Sequence, residues 1–129
     1  MNGKFLLDTN IIIALFAQNV LVQERLATAQ TTFVSLITIG ELYYGTSKSK
    51  QIEKNRQRLE EFVANTVILP CDISTAQHYG QIKSLLRKKG QPIPENDIWI
   101  AALAQQHQLT LVSRDKHFKV VDDLMLEKW

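Results

Sequence analysis

A short apolar segment that ends on a carboxylate lies near the start of the chain, at Phe5-Leu6-Leu7-Asp8. An uninterrupted apolar run of this length predicts a strand that is buried on both faces, as strands of parallel sheets are. Because an unpaired carboxylate is costly to bury, Asp8 belongs at the end of this strand and not within it. In open parallel sheets, the carboxyl ends of the strands form the edge at which ligands bind. Asp8 therefore has two interpretations, as the N-cap of the next helix or as part of a binding site at that edge.

Strand and helix patterns alternate along the rest of the chain, which predicts βαβ units and an α/β fold. The further strand candidates are residues 32–35, 67–69, 110–113 and a short edge strand near 124–126. The helix candidates are residues 10–18, 20–29, a segment that opens at 38, 51–65, 74–89 and a segment that begins near 96. We expect a central parallel sheet of about five strands with helices on both faces, in one domain that spans residues 1–129.

Three more acidic residues have positions comparable to that of Asp8. Glu41 lies three residues after Thr38, which is the spacing of a capping box but also places a carboxylate in the first helical turn. Asp97 lies in the first turn of a later helix, where it would also favour the helix dipole. Asp115 comes just after the fourth strand candidate. All four carboxylates can meet in one crevice if these strands and helices share the same sheet edge.

Such a group of carboxylates, without histidine or cysteine, is typical of a site for a hard cation. Mg²⁺ and Mn²⁺ prefer oxygen ligands, and either ion can polarise a phosphoryl oxygen and lower the pKa of a bound water. A phosphodiester is the natural substrate for an acidic pocket that needs a metal to bind a negative group. The histidines at 78, 107 and 117 show no zinc-site spacing, and we interpret them as surface or internally satisfied residues.

The overall composition says more about where the protein is located in the cell than about its activity. No apolar run approaches the roughly 18 residues of a membrane span, and the start of the chain does not have the pattern of a signal peptide. The single cysteine, Cys71, excludes an internal disulfide and suits a reducing cytoplasm. The net charge of +2 is too small by itself to indicate nucleic acid. We therefore expect a cytoplasmic protein that does not associate with membranes.

An ordered set of four segments spans nearly the whole chain. The segments are Leu7-Asp8-Thr9-Asn10, Thr38-Ile39-Gly40-Glu41-Leu42-Tyr43-Tyr44-Gly45, Asn96-Asp97-Ile98-Trp99-Ile100-Ala101-Ala102 and Leu111-Val112-Ser113-Arg114-Asp115-Lys116-His117-Phe118. In order and spacing, this set resembles the PIN-domain ribonucleases, and most closely the VapC-type toxins of bacterial toxin–antitoxin pairs. The terminal Trp129 matches as well.

The resemblance implies a PIN-like three-layer sandwich and a metal centre built by the four acids. Asp8 and Asp97 would bind Mg²⁺ or Mn²⁺ directly, and Glu41 and Asp115 would bind it directly or through water. Small polar residues would support this cluster, namely Thr9, Asn10 and Ser113.

The resemblance also implies an activity and partners. The protein would be a metal-dependent endoribonuclease that leaves 5′-phosphate and 3′-hydroxyl ends. It would form a homodimer, and a cognate antitoxin would block its site. Apolar side chains of the early helices would bind that antitoxin, namely Ile11, Ile12, Leu15 and Leu21. Arg114 and Lys116, which flank Asp115, are the candidate contacts to RNA phosphates.

Three other classes of protein are alternatives to a PIN-domain nuclease. A PIN-like scaffold without catalysis, which binds RNA or protein, has little reason to keep four mutually repelling carboxylates. A phosphatase of the haloacid dehalogenase type needs a second aspartate at position 10, where this chain has Asn10. A receiver domain needs paired acids after its first strand, and Asp8 stands alone there. RNA cleavage with and without EDTA separates the nuclease from the scaffold.

Overall fold

The computed structural model describes residues 3–129 and contains a five-stranded parallel sheet. The strand order is β3-β2-β1-β4-β5, so the first strand is central. The strands are β1 Lys4–Leu7, β2 Thr31–Ser35, β3 Val67–Leu69, β4 Thr110–Val112 and β5 Leu126–Glu127. The predicted α/β architecture with about five parallel strands is confirmed, and the edge strand begins two residues later than predicted.

Helices connect the strands and cover both faces of the sheet. They are α1 Thr9–Phe16, α2 Val20–Thr28, α3 Leu36–Ser47, α4 Ile52–Ala64, α5 Ile73–Lys89, α6 Glu95–Gln106 and a 3-10 helix at Lys116–Val120. No single helix among residues 3–129 is long and apolar enough to cross a membrane, although α1 and α2 pass that test together as a pair bent by 111°.

The central strand β1 buries alternate side chains in two separate cores. Leu6 packs in a core with residues of α5 and α6. Phe5 and Leu7 pack in the opposite core, with residues of α1 to α4. This alternation follows from the two-residue period of a strand, and it explains why the predicted strand is apolar at consecutive positions. With both faces covered, polar groups of β1 can reach solvent only at the strand ends.

The strand order reverses at β1, which pairs with β2 on one side and with β4 on the other. Such a reversal opens a crevice beyond the carboxyl ends of the strands. Asp8 begins this crevice, and its backbone N–H still donates to the carbonyl of Val112 at the end of β4 (2.9 Å). The fold therefore brings the ends of β1 and β4 together where the sequence analysis placed the candidate site.

Two helices have N-caps that differ from the prediction. The cap of α3 is Ser35, whose hydroxyl accepts a hydrogen bond from the backbone N–H of Thr38 (3.0 Å). The predicted capping box of Thr38 and Glu41 is therefore wrong, and Glu41 lies in the second turn of α3. The cap of α5 is Asp72 and not Ser74. In both cases a polar residue upstream already has the extended backbone that an N-cap requires.

Only some of the apolar residues of the early helices are exposed at the surface. Ile11 and Ile12 are fully buried in the core against the sheet, so their prediction as partner contacts was wrong. Leu21 remains 46% exposed, and Ile13, which the sequence analysis did not select, is 56% exposed. The difference follows from the angular position of each residue on a short helix whose inner side faces the sheet.

Two glycines, one inside α5 and one at its C-cap, give opposite predictions for stability. Gly90 ends the helix as predicted, in the left-handed conformation (φ 68°), where an L side chain is strained. Gly80 lies inside the helix, and an added Cβ would meet no atom within 4 Å. We expect Gly80→Ala to raise the free energy of unfolding by about 0.5–1 kcal/mol. Gly90→Ala should lower it by about 1 kcal/mol. Urea denaturation measures both, and equal effects of the two substitutions would contradict this account.

Candidate active site

Asp8 is buried at the end of β1, and its two carboxylate oxygens have different partners. Oδ1 accepts a hydrogen bond from the backbone N–H of Thr9 (2.8 Å) and so caps α1. Oδ2 accepts a hydrogen bond from the hydroxyl of Ser113 (2.7 Å) and a longer one from the amide of Asn10 (3.3 Å). Capping and participation in the site are thus compatible, because each uses a different oxygen.

Glu41 reaches the same edge from α3 and is held by residues of two other helices. The hydroxyl of Thr9 donates to Glu41 Oε1 (2.6 Å) and lies 3.2 Å from the hydroxyl of Thr38, which is fully buried. The side-chain amide of Asn96, in the first turn of α6, lies 3.4 Å from Glu41 Oε2. Glu41 therefore links α1, α3 and α6 at the site.

Asp97 and Asp115 both contact the same nitrogen of the His117 imidazole. The His117 Nδ1 atom is 3.1 Å from Asp97 Oδ2 and 2.9 Å from Asp115 Oδ1. Asp115 also caps the 3-10 helix, since its Oδ1 accepts a hydrogen bond from the backbone N–H of His117 (2.9 Å). Asp97 has 13% of its side chain exposed and Asp115 has 32%, so both are accessible to a ligand from the crevice.

Two polar residues fasten the ends of β1 and β4 to each other. Ser113, which donates to Asp8, accepts a hydrogen bond from the backbone N–H of Asp115 (3.0 Å). The side-chain oxygen of Asn10 accepts one from the backbone N–H of Arg114 (3.2 Å). These contacts fix the loop that carries Asp115 relative to Asp8.

The four carboxylates influence one another electrostatically. Burial raises the pKa of Asp8 above its usual 3.8, the hydrogen bonds from Ser113 and Thr9 oppose this, and the charges of Glu41 and Asp115 raise the pKa further. Burial is also the main cause that raises the pKa of Asp97 to about 6; the hydrogen bond with His117 opposes it, and the charges of Asp8 and Asp115 add to it. Conversely, the hydrogen bond with Asp97 raises the pKa of His117. Raised carboxylate pKa values in a crevice are typical of functional sites.

The donor set fits a divalent cation. Among residues 3–129, no ion pair joins any of the four carboxylates to a lysine or an arginine. Ligand atoms of Asp97, Asp115 and His117 lie within 4.8 Å of one another. Converging carboxylate oxygens of this kind suit Mg²⁺ or Mn²⁺, and a bound cation would relieve their repulsion.

The structure places all the predicted acidic and supporting residues at this sheet edge. Asp97 and Asp115 group closely with His117, whereas Asp8 and Glu41 lie outside that group and reach it through hydrogen-bonded neighbours.

The predicted RNA contacts lie at the periphery of the site. Arg114 is exposed, and its Nε donates to the backbone oxygen of Trp129 (2.9 Å). Lys116 is exposed at the start of the 3-10 helix.

Sequence reasoning missed two side chains of this site, His117 and Asn96. His117 was interpreted as a surface or satisfied histidine, but it contacts two of the four acids. Its position two residues after Asp115 was the available signal, because a short turn there directs the ring back toward the strand end. Asn96 precedes Asp97 in the first turn of α6, and only the packing of α3 against α6 brings it to Glu41.

Comparison with known proteins identifies the class to which this fold and site belong. The PIN domain family model matches residues 5–124. The chain therefore belongs to the PIN-domain family, as the ordered segments predicted. Within that family, it is 41% identical to ribonuclease VapC2 of Haemophilus influenzae, over 98% of each chain. It is 36% identical to the tRNA(fMet)-specific endonuclease VapC of Shigella flexneri, again over 98% of each chain.

A solved structure supports the same assignment. VapBC2 from Rickettsia felis, bound to a DNA fragment from its promoter, superposes with a TM-score of 0.90. The two chains are 34% identical, and the match covers 98% of each. The predicted resemblance to VapC-type proteins and to their fold is thereby confirmed.

The raised pKa of Asp97 predicts a specific pH dependence of stability when no divalent metal is present. Because the folded protein holds this proton more tightly than the unfolded chain, ionisation of Asp97 lowers stability as pH rises from about 4 to about 6. A change in pKa from 3.8 to about 6 corresponds to about 3 kcal/mol at most. Asp97→Asn should therefore gain stability relative to wild type across this range and keep the gain above it.

Urea denaturation in EDTA at pH 4, 5, 6 and 7 measures this difference. Asp123→Asn is the matched control, because Asp123 is exposed and outside the site, and asparagine tolerates its positive φ of 59°. The control should follow wild type at every pH. A stability difference between Asp97→Asn and wild type that does not vary with pH would contradict the assignment of this pKa.

Proposed function

We propose that this chain is a metal-dependent endoribonuclease that acts as the toxin of a toxin–antitoxin pair. The observation that carries the proposal is the placement of four carboxylates at one sheet edge, after β1 and β4 and on α3 and α6, where their charges influence one another and, among residues 3–129, no lysine or arginine pairs with them. The names of the similar proteins, a ribonuclease and a tRNA(fMet)-specific endonuclease, support the same class of reaction.

In this proposal, the acids hold Mg²⁺ or Mn²⁺. Asp8 and Asp97 are direct ligands, and Glu41 and Asp115 bind directly or through water. The bound ion supplies Lewis-acid polarisation of the phosphoryl oxygen and lowers the pKa of the attacking water. Hydrolysis then breaks the bond between phosphorus and the 3′ oxygen, so one product carries a 5′-phosphate and the other a 3′-hydroxyl.

The surrounding residues of the chain keep the acids in position for that reaction. Ser113 and the N-terminus of α1 fix both oxygens of Asp8. The Thr9 hydroxyl fixes one oxygen of Glu41 and leaves the other toward Asn96. Such fixed ligands lose little freedom when the metal and the substrate bind.

Arg114 and Lys116 remain the proposed contacts to RNA phosphates. The hydrogen bond from Arg114 Nε to Trp129 uses one of the five N–H donors of the guanidinium, so the others can still bind a phosphate. Lys116 is exposed next to Asp115 and can add a second positive charge at the periphery of the site. Their contribution should weaken as the salt concentration rises.

The antitoxin would bind a cleft between α1, α3 and α4 of about 460 Å³. Its lining combines apolar residues, among them Ile13 and Phe16, with Glu41 of the metal site and with Arg58. The same cleft also contains Thr9, which holds Glu41. An apolar peptide segment with a charged residue beside Glu41 would therefore bury exposed side chains and interfere with the site at once.

We also propose that residues 1–129 form a single PIN-like nuclease domain, which works in the cytoplasm as a homodimer. The family match over residues 5–124 and the single continuous sheet support the one-domain organisation.

The first prediction from this proposal concerns cleavage. Purified protein should cut RNA in Mg²⁺ or Mn²⁺ and not in EDTA, with tRNA(fMet) as one test substrate because of the name of the Shigella relative. Asp97→Asn and Glu41→Gln keep the side-chain shape but remove a charge, so each should lower cleavage by at least about 100-fold. Asp123→Asn, outside the site, is the control and should stay fully active.

The ends of the RNA products provide a second criterion in the same assay. Hydrolysis by water gives 5′-phosphate and 3′-hydroxyl ends, whereas attack by the 2′-hydroxyl gives cyclic phosphates. Cyclic phosphates, or full activity in EDTA, would refute the metal mechanism. A wild-type protein that binds RNA but never cleaves it would support the scaffold alternative.

The next prediction concerns the antitoxin cleft. Ile13→Asp places a charge on a 56% exposed position of the cleft lining, so it should abolish rescue by a co-expressed antitoxin while toxicity remains. Val20→Asp is the matched control, because Val20 is 66% exposed and does not line the cleft. Growth assays with and without the antitoxin, at equal levels of soluble wild type and variants, measure the rescue. Normal rescue of Ile13→Asp by the antitoxin would show that the antitoxin binds another surface.

A further inference from the structure

His117 places a nitrogen atom among the carboxylates of the candidate metal site. Its Nδ1 lies 3.1 Å from Asp97 Oδ2 and 2.9 Å from Asp115 Oδ1. In an octahedral complex with bonds of about 2.1 Å, two adjacent ligand atoms are about 3.0 Å apart. Both distances from Nδ1 match that spacing, and ligand atoms of all three side chains lie within 4.8 Å of one another, so the three could bind one ion.

The backbone around His117 holds the imidazole in this position. The N–H of His117 donates to Asp115 Oδ1 (2.9 Å), which caps the 3-10 helix. The next residue, Phe118, is 1% exposed and anchors the helix in the core. The His117 side chain itself is 50% exposed, so replacing it leaves the core unchanged.

We propose that His117 is a nitrogen ligand of the metal centre and makes that centre prefer Mn²⁺ to Mg²⁺. The inference rests on the proposed metal-dependent function and adds to it the identity of a ligand. Imidazole binds first-row transition metals well, whereas Mg²⁺ prefers oxygen donors and retains its waters. A centre with three or four carboxylates alone would discriminate less between the two ions.

A different role for His117 makes the opposite prediction. If the imidazole served only as a counter-ion that holds Asp97 and Asp115 together, it would compete with the metal for the same oxygens. Removing it would then strengthen the binding of both ions. If His117 is a ligand, removing it weakens Mn²⁺ binding selectively.

Isothermal titration with Mn²⁺ and with Mg²⁺ distinguishes these roles, on wild type, His117→Gln and the control His107→Gln. His107 is an exposed histidine at the end of α6, outside the site. Loss of a direct ligand should cost at least as much as loss of an outer hydrogen-bond partner, so the Kd for Mn²⁺ should rise about tenfold or more in His117→Gln. The Kd for Mg²⁺ should stay within about threefold, and the control should match wild type. An unchanged or lower Kd for Mn²⁺ in His117→Gln would overturn the inference.

Pulsed EPR of the Mn²⁺-loaded protein provides a direct readout. Wild type and His107→Gln should show coupling of the ion to a ¹⁴N nucleus, and His117→Gln should lose it. Bound Mn²⁺ without nitrogen coupling in wild type would overturn the role of His117 and leave the proposed nuclease function intact. A wild-type protein that binds neither ion would overturn the proposed function itself, so the two failures are distinguishable.

Discussion

The burial of carboxylates close to one another at one sheet edge is the constraint on which this structure depends, because burial and then mutual repulsion raise the pKa values of Asp8 and Asp97. Two unit charges about 5 Å apart repel by about 3 kcal/mol at an effective dielectric of about 20. The fold tolerates this repulsion because hydroxyl, amide and backbone N–H groups hold Asp8 and Glu41, while the imidazole of His117 contacts both Asp97 and Asp115. A site of this kind is less stable without a cation than with one, so binding of the ion and stability of the fold are linked.

Burial of apolar side chains in the rest of the fold offsets the free-energy cost of this arrangement. The sheet is covered on both faces by two cores, and the acids lie at one edge of it, after β1 and β4 and on α3 and α6. The cleft beside α1 begins at the same place, because Thr9 and Glu41 belong to both the acid cluster and the cleft lining. A partner in the cleft and a cation at the acids would therefore act on shared side chains.

Much of this protein follows from local patterns in its sequence. The two-residue alternation of β1, the position of Asp8 at the strand end and the placement of Asp97 in the first turn of α6 depend on neighbouring residues alone. The role of Gly90 as a C-cap was predictable for the same reason, since a glycine after a long helical pattern marks the end of the helix. The parallel sheet follows from the alternation of strands and helices, and it allows the acids to meet at one edge.

Other features depend on contacts between residues far apart in the chain, and only the tertiary structure decided them. Glu41 fits a capping box by spacing, yet Ser35 caps α3 and Thr9 holds the Glu41 side chain. Ile11 and Ile12 look like surplus apolar surface, yet the angle at which α1 packs on the sheet buries both. His117 has no metal-site spacing in sequence, and it joins the acids because the loop after β4 turns it toward α6. Sequence determined which residues have periodic or terminal positions, because those are local properties, whereas packing determined which side chains meet across elements.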